Sequence, residues 1–523
     1  MDTLLYSCDQ IRAIEHAAQA HLAPGTLMER AGQAAADYAR ALLDGEPGGA
    51  VLVLAGPCNN GGDGLELAAV LARGGFDVEV LHLASEPAPS FETGRALQRA
   101  RDAQVRIVDA VPAGRPWRLV VDALFGIGLA RPLAGQAREL ALWTAGLDCP
   151  VLAIDVPSGL DADTGGLHGP NGVAVTATHT ITFLGNKPGL HTGDGCDHAG
   201  TVHVDMLGAD GLHNEAAQAA LNGPALFAER LAPRRRNSHK GSFGDVIVLG
   251  GARGMLGAAV LATRAALHGG AGRVFAATLD PGMLLDPLQP EIMFRDAAGL
   301  DYAGRSVVAG PGMGSADAAI HLLGKVLDAR GPLVVDADAL NLVAARPELG
   351  ERLAAHDGEV VLTPHPLEAA RLLGVTAPVV QADRLEHARE LALRFNSVVV
   401  LKGAGSVIAR PDGFVALNTS GNPGLATGGS GDVLAGFCGA LLGQGWPAWE
   451  AALGAVWMHG AAADWLVDDE IGPIGLTAGE LPKAMRAVYN ALVADADSFG
   501  TWARKPVPRT DLPHPTPIYP PRW

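Results

Sequence analysis

The sequence predicts an α/β protein with two domains, each built on a mainly parallel sheet that is covered by helices. Short aliphatic runs alternate with Gly-rich turns and alanine-rich stretches from Val51 onward, and the same alternation restarts at Asp245. Strands that read as continuous apolar runs are typical of parallel sheets buried on both faces. The 68 glycines among 523 residues follow no three-residue period, and 48% of the chain is hydrophobic, which excludes collagen and intrinsic disorder.

The helix and strand signals follow in chain order. Ser7 and Gln10 form a capping box for a helical stretch that reaches Arg40, with a break at Pro24–Gly25. The first domain then has predicted strands in VLVLAG, RLVVDALFG, VLAIDVPSG and THTITF. The second domain has a predicted helix over Leu256–His268 and strands in DVIVLGG, RVFAAT, SVVAGPG, LVVDAD, EVVLTPH and SVVVLKG.

An alanine-rich, polar stretch around residues 208–237 separates the two patterns, and we place the domain boundary there. The prediction is a first domain at residues 1–215, a linker at 216–235, a second domain at 236–500 and a Pro-rich tail at 501–523. The prolines concentrated in residues 506–523 exclude a helix or a central strand in that tail.

Charge and cysteine content exclude several function classes. With 39 Lys and Arg against 56 Asp and Glu, the net charge of -17 opposes binding to nucleic acid or to an anionic membrane. The five cysteines form no CxxC pair, and the amino terminus lacks the basic and apolar regions of a signal peptide. We therefore expect a cytoplasmic protein that binds any anionic ligand through locally placed donors.

Three loops of the first domain carry polar residues at the carboxyl ends of predicted strands, where ligands bind in open parallel sheets. The glycines of NNGGDG, residues 59–64, let backbone amides approach an anion at a helix N-terminus; the alternative is a tight left-handed turn. Asn60, Asp122 and Ser158, one from each loop, offer hard oxygen ligands to an alkali or alkaline-earth cation, although a strand-end Asp is often a cap. Lys187 follows another strand, where the alternative is a solvated surface charge.

The motifs NNGGDG, DALFGIGLARP, DVPSGLD and TFLGNKPGL resemble, in that order, the NAD(P)H-hydrate epimerase domain over nearly all of residues 1–215. The resemblance implies a Rossmann-like three-layer sandwich in which Asn60, Asp122 and Ser158 bind potassium. It also implies that hydrated NADH or NADPH contacts Asn59, Asn60, Gly61, Gly62, Asp63, Gly126, Ile127, Gly128, Leu129, Ala130, Arg131, Pro132 and Asp155. Leu65 stands where the family often has an aromatic residue, so no stacking contact is carried over to it.

The implied epimerisation inverts one carbon of the hydrated nicotinamide ring. Opening and reclosure of the hemiaminal needs one group that accepts the hydroxyl proton and one group that returns it. We assign these two roles to Asp155 and Lys187.

The second domain has a phosphate cradle but no P-loop, because GxxxxGK[ST] does not occur. Instead, NPGLATGGSGD at residues 422–432 places glycines directly before an apolar helix, where backbone amides face a transferring phosphate. Asp432 is the candidate base at the start of this helix, and the alternative is a simple N-cap. His365 follows a buried strand at the predicted ligand edge, where it either contacts substrate or stiffens a turn.

GGSGD resembles the anion hole and catalytic Asp of the ribokinase-like superfamily. GPGMG, DADALN, TPHPLEAARLLG and VVVLKGAGSVIA add a resemblance to the ADP- or ATP-dependent NAD(P)H-hydrate dehydratase over residues 235–495. The resemblance implies a ribokinase-like α/β domain that contacts the hydrated dinucleotide through Ala258, Gly312, His365 and Asp432. It implies contacts with the adenine nucleotide at Lys402, Gly403, Ala404, Gly405, Ser406 and Gly431. Ser430 replaces the more usual Thr and should keep its hydroxyl donor.

Together the resemblances predict an epimerase fused to a dehydratase that converts the S hydrate and ADP to NAD(P)H, AMP and phosphate. Asp432 would deprotonate the ring hydroxyl, the hydroxyl would take the terminal phosphoryl of ADP, and phosphate would then leave. Magnesium is expected on the phosphates, held by nucleotide and water. ADP is favoured over ATP because the fused form resembles bacterial or archaeal members, and we expect a homo-oligomer.

Two other functions stay open. A ribokinase-like vitamin-precursor kinase fused to a dinucleotide-binding module would leave a stable phosphoester instead of free phosphate. A dinucleotide-binding scaffold that recruits partners would show no turnover, and the presence of Asp155, Lys187 and Asp432 counts against it.

Overall fold

Two sheets, each packed between helices, organise the chain. The computed structural model describes residues 3–45, 48–83, 90–169, 171–212 and 217–494. The predicted α/β class with mainly parallel sheets is confirmed. The predicted Pro-rich tail lies outside the described residues. None of the helices in the described ranges combines the length and the apolarity that a membrane crossing needs.

The first part of the chain contains the strands of the first sheet and one short strand that joins the second sheet. Its strands are β1 (Leu4–Leu5), β2 (Ala50–Ala55), β3 (Asp77–His82), β4 (Arg106–Val108), β5 (Trp117–Ala123), β6 (Val151–Ile154), β7 (His179–Phe183) and β8 (Thr201–Asp205). Its helices are α1 (Cys8–Gln19), α2 (Thr26–Leu42), α3 (Asn59–Arg73), α4 (Phe91–Asp102), α5 (Gly135–Thr144) and α6 (Gly195–His198). Strands β2 to β8 form one parallel sheet in the order β4-β3-β2-β5-β6-β7-β8.

The first sheet is buried on both faces. Val51 and Val53 of β2 face a core shared with α1 to α4, whereas Leu52 and Leu54 face a core shared with α5. This alternation makes the predicted three-layer sandwich, and it explains why the strand reads as a continuous apolar run. The capping box at Ser7 is confirmed, because the Ser7 hydroxyl accepts from the Gln10 N–H and the Gln10 side chain accepts from the Ser7 N–H.

The second part of the chain builds a larger sheet. Its strands are β9 (Ala219–Asn222), β10 (Asp245–Gly250), β11 (Arg273–Thr278), β12 (Met293–Asp296), β13 (Ser306–Ala309), β14 (Leu333–Val335), β15 (Val360–Leu362), β16 (Val398–Leu401), β17 (Val407–Ala409) and β18 (Val415–Asn418). Its helices are α7 (Leu256–His268), α8 (Asp317–Asp328), α9 (Ala337–Ala345), α10 (Pro347–Ala354), α11 (Pro366–Leu373), α12 (Ala377–Ala382), α13 (Arg384–Phe395), α14 (Ser430–Gly443), α15 (Ala448–Asp468) and α16 (Leu481–Ala494). The bounds of α7 are those predicted.

The second sheet has eleven strands in the order β1-β9-β18-β17-β16-β15-β14-β13-β10-β11-β12. Its centre is parallel, and β16-β17, β17-β18 and β1-β9 are antiparallel pairs. Val246 and Val248 of β10 face a core with α7, α14, α15 and α16, whereas Ile247 and Leu249 face a core that includes α8 to α11 and α13. Each sheet is therefore the middle layer of its own unit.

The two units are linked at one edge of the second sheet. The segment at residues 216–235, expected to be a linker, contains β9, which pairs with β18 in the second sheet. Residues Leu4 and Leu5, from the expected first domain, add β1 to the other side of β9. The second sheet thus takes one strand from the expected linker and one from the start of the chain.

Candidate active sites

A cavity of about 880 Å³ opens at the carboxyl ends of β2, β5 and β6. The three loops singled out in the sequence meet there, as expected for the carboxyl edge of a parallel sheet. The predicted residues that line the cavity are Asn59, Asn60, Asp63, Gly126, Ile127, Gly128, Leu129, Ala130, Arg131 and Asp155. Gly61, Gly62 and Pro132 are predicted residues that do not line it. Leu65 is buried in the core and does not line it either.

The NNGGDG segment is helical, so neither the expected loop nor the alternative left-handed turn is present. Helix α3 begins at Asn59, and none of Gly61, Gly62 and Gly64 has a positive φ. A Cβ at Gly61 would collide with the Gly56 carbonyl, and one at Gly62 would lie 2.5 Å from the Met28 methyl carbon. The glycines are therefore required for close packing of the helix start against β2 and α2.

Asp155 has a strained backbone at the mouth of the cavity. Its φ is +68°, which is uncommon for a residue other than glycine and is tolerated best by Asp and Asn. One carboxylate oxygen accepts from the Ile127 N–H at 2.9 Å, and the other lies 3.0 Å from Nζ of Lys187. A Cβ at Gly126 would occupy the place of this carboxylate, so Gly126 is needed to admit Asp155.

Lys187 is fully buried behind Asp155, so the surface-charge alternative is wrong. Its Nζ donates to Thr182 Oγ1 at 2.5 Å, to the Phe183 carbonyl at 3.0 Å and to the Gly185 carbonyl at 3.3 Å. Lys187 is not among the residues that line the cavity. This geometry favours a role for Lys187 in positioning Asp155. It does not favour direct proton donation from Lys187 to the substrate.

The predicted cation ligands lie beneath the cavity. Asp122 and Ser158 are fully buried, and the Asp122 carboxylate accepts from the Ser158 hydroxyl at 2.7 Å and from its N–H at 2.8 Å. Burial raises the pKa of Asp122 to about 6. Asn60 has both side-chain polar atoms buried without a hydrogen-bond partner among the described residues.

Helix α1 supplies cavity residues that sequence reasoning missed. Arg12, Glu15 and Gln19 line the cavity from one face of this helix. Glu15 and Gln19 lie three and seven residues after Arg12. This spacing places the three side chains on one face of the helix and could have identified them as a group. The carboxylate of Asp163 accepts from the Cys8 N–H at 2.7 Å and so fixes the start of the helix.

The acidic residues of the cavity interact electrostatically. Burial, followed by the charge of Asp155, raises the pKa of both Glu15 and Asp63. Both of these carboxyl groups line the same cavity as Asp155. The cavity thus holds protonatable groups in addition to the pair singled out in the sequence.

The second candidate site surrounds the start of α14. Its N-cap is Gly429, with φ +94° and no side-chain cap, whereas Asp432 is the third residue of the helix. The N-cap alternative for Asp432 is therefore wrong. A Cβ at Gly428 would meet nothing within 4 Å, and one at Gly431 would have Nζ of Lys402 as its nearest neighbour at 3.4 Å. The helix start is open, and the Lys402 ammonium lies beside it.

Lys402 sits among carboxylates. Its Nζ lies 2.6 Å from Asp336 and 3.9 Å from Glu368. Burial acts to lower the pKa of Lys402, but these two carboxylates raise it above its ordinary value. Burial and then the Asp336 carboxylate raise the pKa of Asp432 to about 7, against the opposing charge of Lys402. Asp432 therefore has the pKa of a group that can accept a proton near neutral pH.

His365 caps helix α11. Its Nδ1 accepts from the backbone N–H of Leu367 at 3.1 Å and from that of Glu368 at 3.3 Å. The backbone N–H of His365 donates to the Glu368 carboxylate at 2.8 Å. Burial, with the charge of Lys402, lowers the pKa of His365. The imidazole is half exposed, so its structural role as a cap leaves part of the ring accessible.

The remaining predicted residues lie in the first turn of α7, after β13 and after β16. A Cβ at Gly312 would lie 3.2 Å from the Ala258 Cβ, so these two positions are neighbours. The Ser430 hydroxyl donates to the Leu425 carbonyl at 2.8 Å, so its hydrogen stabilises the glycine turn. Gly403, Ala404, Gly405 and Ser406 continue from Lys402, and the Ser406 hydroxyl donates to the Gly403 carbonyl at 3.0 Å.

Three carboxylates of this site were not assigned a role in the sequence. Asp336 directly follows β14 and pairs with Lys402, Asp338 accepts from the Gly314 N–H at 2.8 Å, and Glu368 closes the capping box of α11. Asp336 could have been identified because it directly follows a buried strand, and Glu368 because it lies three residues after a cap residue. In the part of the chain that the structure describes, no three or more His, Cys, Asp or Glu side chains are grouped as metal ligands.

Known proteins are similar to this chain over most of its length. The family model for NAD(P)H-hydrate dehydratase matches residues 246–487, and that for the YjeF-related protein N-terminus matches residues 24–189. The bifunctional NAD(P)H-hydrate repair enzyme Nnr of Escherichia coli (strain K12) is 38% identical over 482 residues, which cover 90% of this chain and 90% of that protein. The ADP-dependent (S)-NAD(P)H-hydrate dehydratase of Neisseria meningitidis serogroup B is 43% identical over 292 residues, which cover 54% of this chain and 97% of that protein.

A solved structure is also similar to the second part of the chain. The ADP/ATP-dependent NAD(P)H-hydrate dehydratase from Bacillus subtilis, co-crystallised with ATP and Mg²⁺, is 33% identical, with a TM-score of 0.47. The match covers 52% of this chain and 98% of that chain.

Proposed function

The chain belongs to the family of bifunctional NAD(P)H-hydrate repair enzymes, and from this premise we propose how its two sites divide the work. The protein is an enzyme with two activities. Its first domain epimerises the R and S hydrates of NADH and NADPH, and its second domain dehydrates the S epimer in an ADP-dependent reaction. The residues that carry each step are our proposal.

The position of Asp432 is the observation that carries the mechanism of dehydration. Asp432 lies in the first turn of α14, where N–H groups without helical partners can bind a phosphate. Its carboxylate accepts the proton of the ring hydroxyl, and the hydroxyl oxygen then attacks the terminal phosphorus of ADP with AMP as the leaving group. The C–O bond of the phosphoester then breaks to release phosphate, and loss of a proton from the adjacent ring carbon forms the double bond of the dihydronicotinamide.

Lys402 and the glycine turn bind the nucleotide in this proposal. The Lys402 ammonium, which lies next to Gly431, balances the charge of the phosphates while Asp336 holds it in place. Bound Mg²⁺ would supply further charge neutralisation on the phosphates. The carboxylates nearby already accept from Lys402, Gly314 and His365, which supports a metal held mainly by nucleotide and water.

The rate of dehydration should depend on the protonation of Asp432. Because only the carboxylate can accept the hydroxyl proton, we expect kcat/KM for the hydrate to fall about tenfold per pH unit below a pKa near neutrality, and to level off above it. The pKa of about 7 for Asp432 sets this midpoint in the free enzyme. Initial rates at low hydrate concentration, corrected for acid breakdown of the product, measure the profile. A rate that stays constant between about pH 5.5 and 8 would contradict the assignment.

In the first domain, Asp155 is the proposed proton acceptor for opening the hemiaminal. Its carboxylate lies 3.0 Å from Nζ of Lys187 and lines the cavity, whereas Lys187 acts through it as a positioning residue. The same carboxyl group can return the proton when the ring recloses on its other face. Substrate contacts are assigned to the cavity residues of the Asn59 and Gly126–Arg131 segments.

The residues beneath the cavity fit a potassium ion. Asn60 has an unpartnered buried amide, and the buried Asp122 carboxylate forms no ion pair with a described residue. These hard oxygen donors suit an alkali cation, which would fix the ends of β2, β5 and β6 relative to each other. We propose Asn60, Asp122 and Ser158 as its ligands.

Potassium should stabilise the first domain. At a K⁺ concentration tenfold above its Kd, binding adds about 1.4 kcal/mol to the free energy of unfolding, so replacing K⁺ with tetramethylammonium should lower the melting temperature. Asp122→Asn should remove the dependence on K⁺, whereas Asp148→Asn, an exposed control, should keep it. Thermal unfolding at constant ionic strength measures the effect. Equal melting temperatures in both salts for the parent enzyme would refute the ion site.

One experiment tests the whole proposal. The purified chain is mixed with separated epimers of hydrated NADH or NADPH, ADP and Mg²⁺, and reduced nicotinamide and free phosphate are followed together. We expect both epimers to be consumed. Consumption of only one epimer would refute the first site, and consumption of neither with ADP or ATP would refute both. A stable phosphoester in place of phosphate would instead favour the kinase alternative.

The remaining expectations belong to the same proposal. We place the enzyme in the cytoplasm, as a homo-oligomer that acts on hydrated dinucleotide and ADP and on neither nucleic acid nor membranes. The net charge of -17 supports the last point. We keep residues 1–215 and 236–500 as the two catalytic domains.

A further inference from the structure

The loop proposed to bind the adenine nucleotide, Lys402–Ser406 (the KGAGS loop), contacts the first domain. The Thr192 hydroxyl lies 2.9 Å from the Gly405 carbonyl oxygen and 3.4 Å from that of Ala404. The Gly193 N–H donates to the Ala404 carbonyl at 3.2 Å. Gly405 has φ +60°, and a Cβ there would collide with the backbone of His191 and Thr192. The two domains thus meet backbone to backbone at this loop.

A buried guanidinium lies under the same loop. Arg384 is 1% exposed, and its Nε donates to Thr192 Oγ1 at 3.2 Å. Its other nitrogens donate to the Gln381 side chain at 2.7 Å and to the Leu401 carbonyl at 3.2 Å. A Cβ at Gly403 would lie 2.7 Å from this guanidinium, so the loop passes directly over it.

The acceptors of Arg384 are all neutral. Among the described residues, no carboxylate forms an ion pair with it, and burial lowers its pKa to about 10. Thr192 is the link between this cation and the loop, because its hydroxyl accepts from the guanidinium and donates to Gly405. Loss of the hydroxyl would therefore remove one hydrogen bond from the guanidinium and one from the Gly405 carbonyl.

We propose that Thr192 of the first domain is a positioning residue for the nucleotide site of the second domain. It fixes the KGAGS loop in the geometry that takes a nucleoside diphosphate, so the nucleotide site is complete only when the two domains are docked. Gly403 and Ala404 are exposed, which leaves part of the loop accessible to a ligand. The inference rests on the proposed binding of ADP by this loop.

The test uses Thr192→Val in the full chain, which keeps the shape of the side chain and removes its hydroxyl. We expect the KM and the Kd for ADP to rise about fivefold or more, because the hydrogen bonds from Arg384 to the hydroxyl and from the hydroxyl to Gly405 are both lost. The kcat at saturating ADP and the rate of epimerisation should stay within about twofold of the parent. Thr192→Ser should restore the affinity, and Thr192→Ala should lose it as Thr192→Val does. Thr201→Val, on an exposed position of β8, is the matched control.

The outcomes separate this inference from the proposed function. If the parent enzyme shows no ADP binding in calorimetry, the nucleotide role of the loop is wrong, and the inference fails with it. If the parent binds ADP and both hydroxyl-free variants bind it as tightly, only the inference is overturned. A lower melting temperature with unchanged KM and Kd for ADP would also overturn it, since that would be a purely structural role. An impaired Thr192→Ser variant would show that the hydroxyl is not the group that matters.

Discussion

Replacing Asp432 with asparagine is expected to lower kcat for ADP-dependent dehydration by about 10²- to 10⁴-fold. Asparagine keeps the size of the side chain in the first turn of α14 but cannot accept the proton of the ring hydroxyl. The residual rate should also lose the pH dependence near neutrality. Initial rates with the S hydrate, ADP and Mg²⁺ measure the effect, with free phosphate as the second readout.

The control for this variant is another first-turn aspartate. Asp317→Asn lies at the start of α8 and is exposed, so it should leave dehydration and epimerisation unchanged. Calorimetry should show that Asp432→Asn still binds ADP, because Lys402 and the glycine turn remain. Dehydration at the parent rate by Asp432→Asn would remove Asp432 from the mechanism.

Replacing Asp155 with asparagine is expected to lower the rate of epimerisation by about 10²- to 10⁴-fold. Asparagine tolerates the left-handed backbone at this position, and the Lys187 amine keeps its acceptors on Thr182, Phe183 and Gly185. The variant should therefore fold and still line the cavity. The interconversion of separated R and S hydrates, corrected for the uncatalysed rate, measures the effect.

Dehydration of the S epimer serves as the internal control for Asp155→Asn, because Asp432 and Lys402 belong to the other domain. The exposed Asp197→Asn is a matched surface variant and should epimerise at the parent rate. Unchanged epimerisation in Asp155→Asn would show that another group, such as Glu15 or Asp63 of the same cavity, accepts the proton.

Local patterns were sufficient to predict the fold class and which residues would lie close together at each candidate site. Continuous apolar runs predicted the buried strands, and the periodicity of residues 256–268 predicted α7 with its observed bounds. Because parallel strands present their carboxyl ends at one edge, the sequence alone predicts that the residues that follow β2, β5 and β6 meet. The glycines before an apolar helix predicted that Asp432 lies at the start of that helix, α14.

Glycine runs were a poorer guide to where a ligand can approach the backbone. A glycine can indicate that a Cβ would not fit, but it does not identify the atoms that occupy the space. At Gly61 that neighbour is a backbone carbonyl, at Gly126 it is the Asp155 carboxylate, and at Gly403 it is the buried Arg384. In the turn before α14, by contrast, a Cβ at Gly428 would meet nothing within 4 Å and one at Gly431 would have no neighbour closer than 3.4 Å, so these two positions leave room for a phosphate.

Partners that are distant in sequence could not be predicted either. Asp336 and Lys402 are 66 residues apart, and Thr192 and Gly405 are 213 residues apart, so no local pattern connects them. Their contacts arise from the order of the strands and from the docking of two domains. For the same reason, the sequence does not show that the polar face of α1 lines the cavity. Its pattern is that of an ordinary solvent-facing helix surface.

The short strand β1 means that the boundary between the catalytic halves differs from the boundary between the folding units. Cutting the chain between residues 212 and 217 would leave Leu4 and Leu5 on the wrong fragment. The carboxyl-terminal fragment would then present β9 as a bare sheet edge, which favours association with other strands. A tag fused close to Leu4 would for the same reason disturb the dehydratase half first, although it is attached to the epimerase half.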